Sequence, residues 1–207
     1  MLWRHGQTTW NAANRFQGQT DIPLSEVGLE QARRAARLLA ALKPDRIVSS
    51  DLSRAASTAE ALARLTGLPV SLDKDLRERS GGSWEGLTRE QITERYPAEQ
   101  ATWDPPDGET RSAVAERVSG ALTRIADELG EGELAVVASH GAAIRMGLER
   151  FLGLDACQPG TTGHAGLLGP LTNCSWSVLG SGRSGWRLLE HNAGNLPEPV
   201  LGDDANA

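Results

Sequence analysis

The sequence has little of what several classes of protein require. It contains only two cysteines, Cys157 and Cys174, which are too few for a disulfide framework and have no zinc-ligand spacing. No apolar run approaches the roughly 20 residues of a membrane-spanning helix, and the opening MLWRHG leaves no room for the regions of a signal peptide. Its 21 basic residues are outnumbered by 27 acidic ones, whereas nucleic-acid binders are normally basic. These absences predict a cytoplasmic protein with no membrane partner and no nucleic-acid partner.

The chain of 207 residues is 39% hydrophobic and 23% charged, which suits a folded domain and excludes a disordered acidic chain. It shows no internal repeat and no long linker. We therefore expect one domain over residues 1–196. Residues 197–207, which include two prolines and two aspartates, are expected to form a flexible tail.

Short apolar segments alternate with segments of helical periodicity, the order typical of an α/β sheet covered by helices. Strands are predicted at residues 1–4, 46–49, 68–72 and 134–139, with two edge strands at 173–179 and 185–190. Helices are predicted at about 26–42, 54–66, 88–96, 112–129 and 142–152, and residues 7–23 are predicted to form a polar loop.

Two histidines and an arginine follow predicted strands. His5 follows the first strand, Arg54 lies just past the second, and His140 follows the apolar segment 134–139. If these strands are parallel, their carboxyl ends share one edge of the sheet, where α/β proteins bind ligands. Together with Arg4, these side chains predict a site for a phosphate dianion, because the arginine fork matches phosphate oxygens. A neutral imidazole there could attack phosphorus.

A metal site on His5 and His140 is not expected. Neighbouring arginines repel a cation, and no histidine or cysteine spacing typical of a metal site occurs. We expect no cofactor. For His164 and His191 a structural or solvated role is favoured.

The segment LWRHGQTTWN resembles the signature of the histidine phosphatase superfamily, also called the phosphoglycerate-mutase-like family. Further segments match in order: RFQGQTDIPLSEVGLEQA, SSDLSRAASTA, LRERSGGSWEG, GET and VVASHGAAIR. The resemblance covers roughly residues 1–190. It implies a three-layer α/β/α sandwich whose sheet is mostly parallel with an antiparallel edge.

The resemblance also implies a role for each matching residue. His5 would be the nucleophile, Arg4, Arg54 and His140 would hold the phosphoryl group, and Glu78 would be the general acid. Residues expected to bind substrate are Arg4, Asn11, Gln17, Gly18, Arg54, Glu78, His140 and Gly141. Glu85 and Glu109 remain alternatives for the acid.

Electrostatics should tune the nucleophile. We expect Arg4, Arg54 and a protonated His140 to lower the pKa of His5, which keeps its imidazole neutral near pH 7. The second ring nitrogen of His5 needs an acceptor, for which the carbonyl of Gly6 is a candidate.

Two alternatives to a phosphatase remain open. Cofactor-dependent phosphoglycerate mutases usually follow the acid with Arg-His-Tyr and carry a longer insert. Here RSGGSWEG follows Glu78, and the stretch from Trp84 to Gly108 is short. This favours a metal-independent phosphomonoester hydrolase over a mutase, because little protein is available to exclude water. The other alternative is a catalytically inactive phosphate-binding module.

The C-terminal segments LTNCSWSVL and GWRLLEHNAG resemble actinobacterial members of the glucosyl-3-phosphoglycerate phosphatase type. The expected substrate is a small phosphorylated metabolite, either a sugar phosphate or a phosphoglycerate derivative.

For the oligomeric state, a monomer and a homodimer both remain possible. Because the expected nucleophile is residue five, the first strand has at most four residues, through either a late start or a shortened strand. Trp84 and Trp103 could line the substrate mouth or pack in the core.

Overall fold

The computed structural model describes residues 1–100, 102–154, 167–183 and 185–194. Six strands are β1 (Leu2–Arg4), β2 (Arg46–Ser49), β3 (Val70–Leu72), β4 (Ala135–Ser139), β5 (Trp176–Gly182) and β6 (Gly185–Ala193). They form one sheet in the order β3-β2-β4-β1-β5-β6. β1 to β4 pair in parallel, whereas β5 and β6 pair antiparallel. The predicted mostly parallel sheet with an antiparallel edge is confirmed.

The helices are α1 (Thr9–Ala12), α2 (Glu26–Ala41), α3 (Ser53–Thr66), α4 (Arg89–Arg95), α5 (Arg111–Asp127) and α6 (Gly141–Phe151). Their ends follow local chemistry. Thr88 and Gln91 form a capping box at the start of α4. α3 ends at Gly67, whose φ of 76° suits a residue without a side chain.

The helices cover both faces of the sheet. Side chains alternate along each strand, so Leu2 and Val137 enter one apolar core with α5 and α6. Trp3, Val136 and Ala138 enter a second core with α2 and α3. This arrangement confirms the three-layer sandwich. None of the helices in the described ranges is long and apolar enough to cross a membrane.

Two local predictions were wrong. The loop expected over 7–23 contains α1, which a reciprocal capping box between Thr8 and Asn11 starts. β5 begins at Trp176 rather than at 173, because residues 171–175 turn back towards the end of β1. In that turn the Ser175 N–H donates to the Thr172 carbonyl at 3.1 Å, and Cys174 has a φ of 61°.

The parallel strands place the ends of β1, β2 and β4 at one edge. The His5 N–H donates to the Ser139 carbonyl at 3.0 Å, and the Ser50 N–H donates to the Ala138 carbonyl at 2.9 Å. His140 directly follows β4 as the N-cap of α6. The three residues that follow these strands therefore lie side by side. The predicted tail 197–207, Cys157 and His164 lie outside the described residues.

Candidate active site

His5 is buried at the centre of this edge. Its Nδ1 lies 2.7 Å from the Gly6 carbonyl oxygen, as expected. Because a carbonyl only accepts, Nδ1 carries the proton and Nε2 keeps its lone pair. Burial lowers the pKa of His5 well below its ordinary value, and Arg54 and Arg4 lower it further. His5 is therefore a neutral imidazole with a nucleophilic Nε2 near pH 7.

His140 stands against His5, with ring centroids 5.1 Å apart and planes at 60°. Its Nδ1 accepts from Arg54 Nε at 3.2 Å, so its proton lies on Nε2, which donates to Ser50 Oγ at 2.9 Å. Burial, then the charge of Arg54, holds the pKa of His140 well below its ordinary value. The expectation of a protonated His140 is therefore wrong for the site without ligand. The cause is desolvation, which the sequence does not display.

Arg54 is fully buried in the second position of α3. Besides the bond to His140, its guanidinium donates to the Thr20 carbonyl at 3.0 Å and to the Gly18 carbonyl at 2.7 Å. Burial lowers the pKa of Arg54 to about 10, against the opposing effect of Glu78 and other carboxylates. It thus stays a cation at neutral pH, with a guanidinium already oriented by the protein.

Arg4 ends β1 and is buried beside the first turn of α6. Its guanidinium donates to the carbonyl of Leu171. A Cβ on Gly141 would lie 3.3 Å from both Cζ and Nε of Arg4, so a residue without a side chain leaves room for the guanidinium. The site therefore has two arginines, one at the end of β1 and one in the first turn of α3, and backbone carbonyls accept from both.

Glu78 reaches the same place from a loop. Its Oε1 accepts from the backbone N–H of Arg79 at 2.8 Å and of Ala143 at 3.0 Å, and its Oε2 accepts from Ala142 at 3.2 Å. The carboxylate therefore sits on the N-terminus of α6, directly after His140. This end of a helix attracts negative charge.

The two alternative acids are held elsewhere. Glu85 binds the loop before α2, accepting from the N–H groups of Gln19 and Thr20 at 2.9 Å each. Glu109 forms a bidentate ion pair with Arg117, with both contacts at 2.7 Å. The described donors of both carboxylates lie outside α6, whereas Glu78 accepts from the N-terminus of α6 directly after His140, which favours Glu78 as the acid.

Asn11, Gln17 and Gly18, which are also expected to bind substrate, lie in the segment that follows His5. Asn11 and Gln17 are buried, and both side-chain oxygens accept from the Thr8 side chain, at 3.2 Å and 2.8 Å. Gly18 has a φ of 54°, and a Cβ there would lie 2.0 Å from Glu85 Oε1, so the position requires glycine. Its carbonyl orients Arg54. These contacts give the three residues a role in shaping the loop; whether they also bind substrate stays a prediction.

Sequence reasoning missed three polar residues that support the site. Ser50 accepts from His140, and Thr58 Oγ1 accepts from the Gly6 N–H at 3.1 Å. Asn173 Nδ2 lies 3.2 Å from the His5 carbonyl. The only available signal for Asn173 was its place in the quoted segment LTNCSWSVL. Ser50 and Thr58 stand in the segment SSDLSRAASTA, but their hydrogen bonds to His140 and Gly6 become visible only when the strands are assembled.

The two tryptophans that could have lined the substrate mouth differ in burial. Trp84 is fully buried, with ring centroids 5.0 Å from Trp103 and 5.9 Å from Phe16, so it packs in a core. Trp103 is half-buried, and Cζ of the Arg89 guanidinium lies over its ring, 4.8 Å from the ring centroid.

His191 forms hydrogen bonds with Ser177 Oγ and the Gly169 carbonyl, which gives it a structural role. Within the described ranges, no group of three or more histidine, cysteine, aspartate or glutamate residues could hold a metal ion.

The arrangement has the parts needed for phosphoryl transfer. A neutral imidazole offers a lone pair, two oriented arginines can neutralise phosphoryl oxygens, and a carboxylate lies at the neighbouring helix end. Because these groups are fixed before a ligand arrives, little reorganisation is needed during reaction.

Comparisons with known proteins agree with this chemistry. The family model of the histidine phosphatase superfamily, branch 1, matches residues 1–194. A glucosyl-3-phosphoglycerate phosphatase of Mycolicibacterium vanbaalenii is 39% identical over 191 residues, covering 86% of this chain and 82% of the relative. A solved mycobacterial glucosyl-3-phosphoglycerate phosphatase, complexed with VO3, is 39% identical with a TM-score of 0.82, covering 93% of this chain and 98% of that chain. A probable phosphoglycerate mutase of Cronobacter sakazakii is 38% identical over 192 residues, covering 89% of this chain and 86% of the relative.

The match over nearly the whole described chain confirms the resemblance inferred from the motifs, and it confirms that the protein is a phosphatase. The chain belongs to the histidine phosphatase superfamily.

Proposed function

We propose that this phosphatase hydrolyses a small phosphorylated metabolite, without a metal, through a phosphohistidine on His5. The observation that carries the proposal is the hydrogen bond from His5 Nδ1 to the Gly6 carbonyl, which leaves the Nε2 lone pair beside two buried arginines. An imidazole so held is a nucleophile in the correct tautomer.

In the first step Nε2 of His5 attacks phosphorus, and the bond from phosphorus to the ester oxygen breaks. Glu78, in its protonated form, gives its proton to the departing oxygen, so the product leaves as an alcohol. Arg4 and Arg54 neutralise charge on the phosphoryl oxygens during transfer. The Nδ1 proton of His5 stays on the ring, where the Gly6 carbonyl stabilises the positive charge that the ring acquires.

In the second step water attacks the phosphohistidine. The Glu78 carboxylate formed in the first step takes a proton from that water, the phosphorus–nitrogen bond breaks, and inorganic phosphate leaves. His5 returns to its neutral form and Glu78 to its acid form, so the cycle closes. The same carboxyl group thus acts as acid and then as base.

The substrate class is proposed from the relatives. Two of them carry the name glucosyl-3-phosphoglycerate phosphatase and match at 39% identity, which favours a sugar phosphate or a phosphoglycerate derivative. The site itself supplies chemistry for the phosphate. The cytoplasmic location and the choice between monomer and homodimer stay predictions.

Release of inorganic phosphate from a panel of phosphorylated metabolites tests the proposal, with glucosyl-3-phosphoglycerate included and His5→Ala protein as the control. We expect wild-type protein to release phosphate from several of them and His5→Ala protein to release none above background. Equal phosphate release by the two proteins would contradict a reaction through His5.

A phosphoglycerate mutase is the second candidate, because a relative with that probable assignment is 38% identical. A mutase would need 2,3-bisphosphoglycerate and would return phosphate to the glycerate carbon chain. Incubating the protein with 3-phosphoglycerate, with and without this cofactor, separates the two functions. Formation of 2-phosphoglycerate that depends on the cofactor would favour the mutase, whereas release of phosphate without isomer favours the phosphatase.

A further inference from the structure

Arg117 lies on α5 and reaches the loop that carries Glu78. Its side chain is 17% exposed. One terminal nitrogen donates to the carbonyls of Asp75 at 2.9 Å and Arg77 at 2.7 Å, and the other donates to the Glu78 carbonyl at 3.0 Å. Nε and that second nitrogen also donate to the two oxygens of Glu109. These contacts engage all five N–H groups of the guanidinium.

Glu109 extends this grip to the other side of Glu78. Besides binding Arg117, its Oε2 accepts from the backbone N–H of Ser80 at 2.8 Å. Its own carbonyl accepts from Arg79 Nε at 2.8 Å. The Arg117–Glu109 pair therefore holds the main chain of Arg77, Glu78 and Ser80, on both sides of the acid.

The other end of Glu78 is held by α6, through the N–H groups of Ala142 and Ala143. Glu78 is thus held at its main-chain carbonyl by Arg117 of α5 and at its carboxyl oxygens by the first N–H groups of α6. Proton transfer needs this precision, because an acid must lie within hydrogen-bonding distance of the oxygen it protonates. A displacement of about 1 Å at such a group lowers the rate by about 100-fold.

We propose that Arg117 is a positioning residue for the proton transfers made by Glu78, acting through the backbone of residues 75–78 and through Glu109. The inference rests on the proposed function, in which Glu78 is the acid. Arg117 makes no described hydrogen bond to His5, Arg4 or Arg54, and its charge lowers the pKa of His140 less than burial, Arg54, His5 and Arg4 do. Its loss should therefore affect protonation of the leaving group and not capture of the phosphate.

The chain offers a matched control on the same helix. Arg124, two turns further along α5, donates to the carboxylates of Asp73 at 3.0 Å and Asp75 at 2.7 Å. It is 54% exposed and makes no described contact with the backbone of residues 77–80. Arg124→Met therefore removes an arginine that binds the same loop without releasing Glu78.

The test compares phenyl phosphate with p-nitrophenyl phosphate in the first turnover after rapid mixing. The two esters have nearly the same shape, but phenolate is a much poorer leaving group than p-nitrophenolate and needs the proton. For Arg117→Met we expect the rate on phenyl phosphate to fall by about 10- to 100-fold more than the rate on p-nitrophenyl phosphate. The apparent dissociation constant of each ester, taken from the concentration dependence of the first turnover, should change by less than about threefold, because no phosphate contact is lost. Arg117→Lys should show the same selectivity with a smaller loss, since an ammonium replaces only some of the bonds.

A purely structural role would give a different result. Equal losses on both esters in Arg117→Met, or a rate ratio like that of Arg124→Met, would overturn the inference. If Arg117→Met does not fold, as judged by its melting curve, the same comparison in Arg117→Lys decides. Glu78→Gln distinguishes the positioning role of Arg117 from the acid role of Glu78. Selective loss in Glu78→Gln alone would overturn positioning by Arg117 and leave the proposed function standing, whereas no selectivity in Glu78→Gln would overturn both.

Discussion

Replacing Glu78 by glutamine removes the carboxyl proton and keeps the size of the side chain. The glutamine oxygen can still accept from the N–H groups of Arg79 and Ala143, at the places now 2.8 and 3.0 Å from Oε1. Its amide nitrogen would face the N–H of Ala142, where the carboxylate now accepts at 3.2 Å. One hydrogen bond is lost and a negative charge leaves the N-terminus of α6. We expect the free energy of unfolding to fall by about 1–2 kcal/mol, so the variant should remain folded.

The expected loss of activity depends on the leaving group. General acid catalysis by a positioned side chain contributes about 10²–10⁴-fold, or about 3–5 kcal/mol of transition-state stabilisation. An alkyl or phenyl phosphate should lose that factor in Glu78→Gln. For p-nitrophenyl phosphate the transfer to His5 should slow by less than about tenfold, because its leaving group needs little protonation. Hydrolysis of the phosphohistidine should still be slow, because the base is also gone.

Rapid mixing separates these steps. Glu78→Gln should therefore release one equivalent of p-nitrophenolate in a burst, followed by a slow steady rate. Glu85→Gln is the matched control, because its carboxylate lies in the same loop and accepts from Gln19 and Thr20. It should lose stability and change the rates on the two kinds of ester in equal proportion.

Equal losses on phenyl and p-nitrophenyl phosphate in Glu78→Gln, with no burst, would refute the assignment of Glu78. A selective loss in Glu85→Gln would transfer the acid role to that residue. Both outcomes can be read from the same set of measurements.

Three further predictions concern binding, packing and pH. Arg54→Lys should weaken competitive inhibition by inorganic phosphate by about 10- to 100-fold in a steady-state assay, because one charge-assisted, oriented fork is lost; an unchanged inhibition constant would contradict its place in the phosphate pocket. Gly6→Ala should lower the free energy of unfolding in urea by about 1–3 kcal/mol, since its Cβ would lie 2.4 Å from the Gly28 carbonyl oxygen; an unchanged midpoint would refute this. Burial lowers the pKa of His5 and His140, so the unfolded chain binds more protons than the folded one below about pH 6.5, and stability falls as pH drops below that value. His140→Asn should reduce this fall by about 1 kcal/mol between about pH 6.5 and 5.5, measured by urea unfolding; parallel curves would contradict a neutral, buried His140.

Much of the fold was predictable because it depends on local patterns. The continuous apolar run that forms β4 and the capping box at Thr88 each act within a few residues. α1 escaped prediction because its capping box uses Asn11 at a position where glutamate or glutamine is the usual signal. The start of β5 shifted because the turn at Cys174 is held by the His5 carbonyl, 169 positions away in sequence.

The candidate site was also predictable only in part. His5 and Arg4 stand in a motif, and a strand end followed by glycine indicated their place. The neutral state of His140 could not be predicted, since it follows from complete burial and from bonds to Arg54 and Ser50. Arg117 was also invisible in the sequence, because a charged residue on a helix usually faces solvent and its carbonyl partners carry no sequence signal.

A phosphoenzyme trapped from labelled substrate would show which residue carries the phosphoryl group. The protein is mixed with a ³²P-labelled phosphomonoester, quenched in alkali within the first turnover, and digested to locate the label. Glu78→Gln protein should accumulate the intermediate, which eases its detection. We expect label on His5 that is stable in alkali and labile in acid, as a phosphorus–nitrogen bond requires, and no label in His5→Ala. Label on another residue, or phosphate release by His5→Ala at the wild-type rate, would contradict a phosphohistidine on His5.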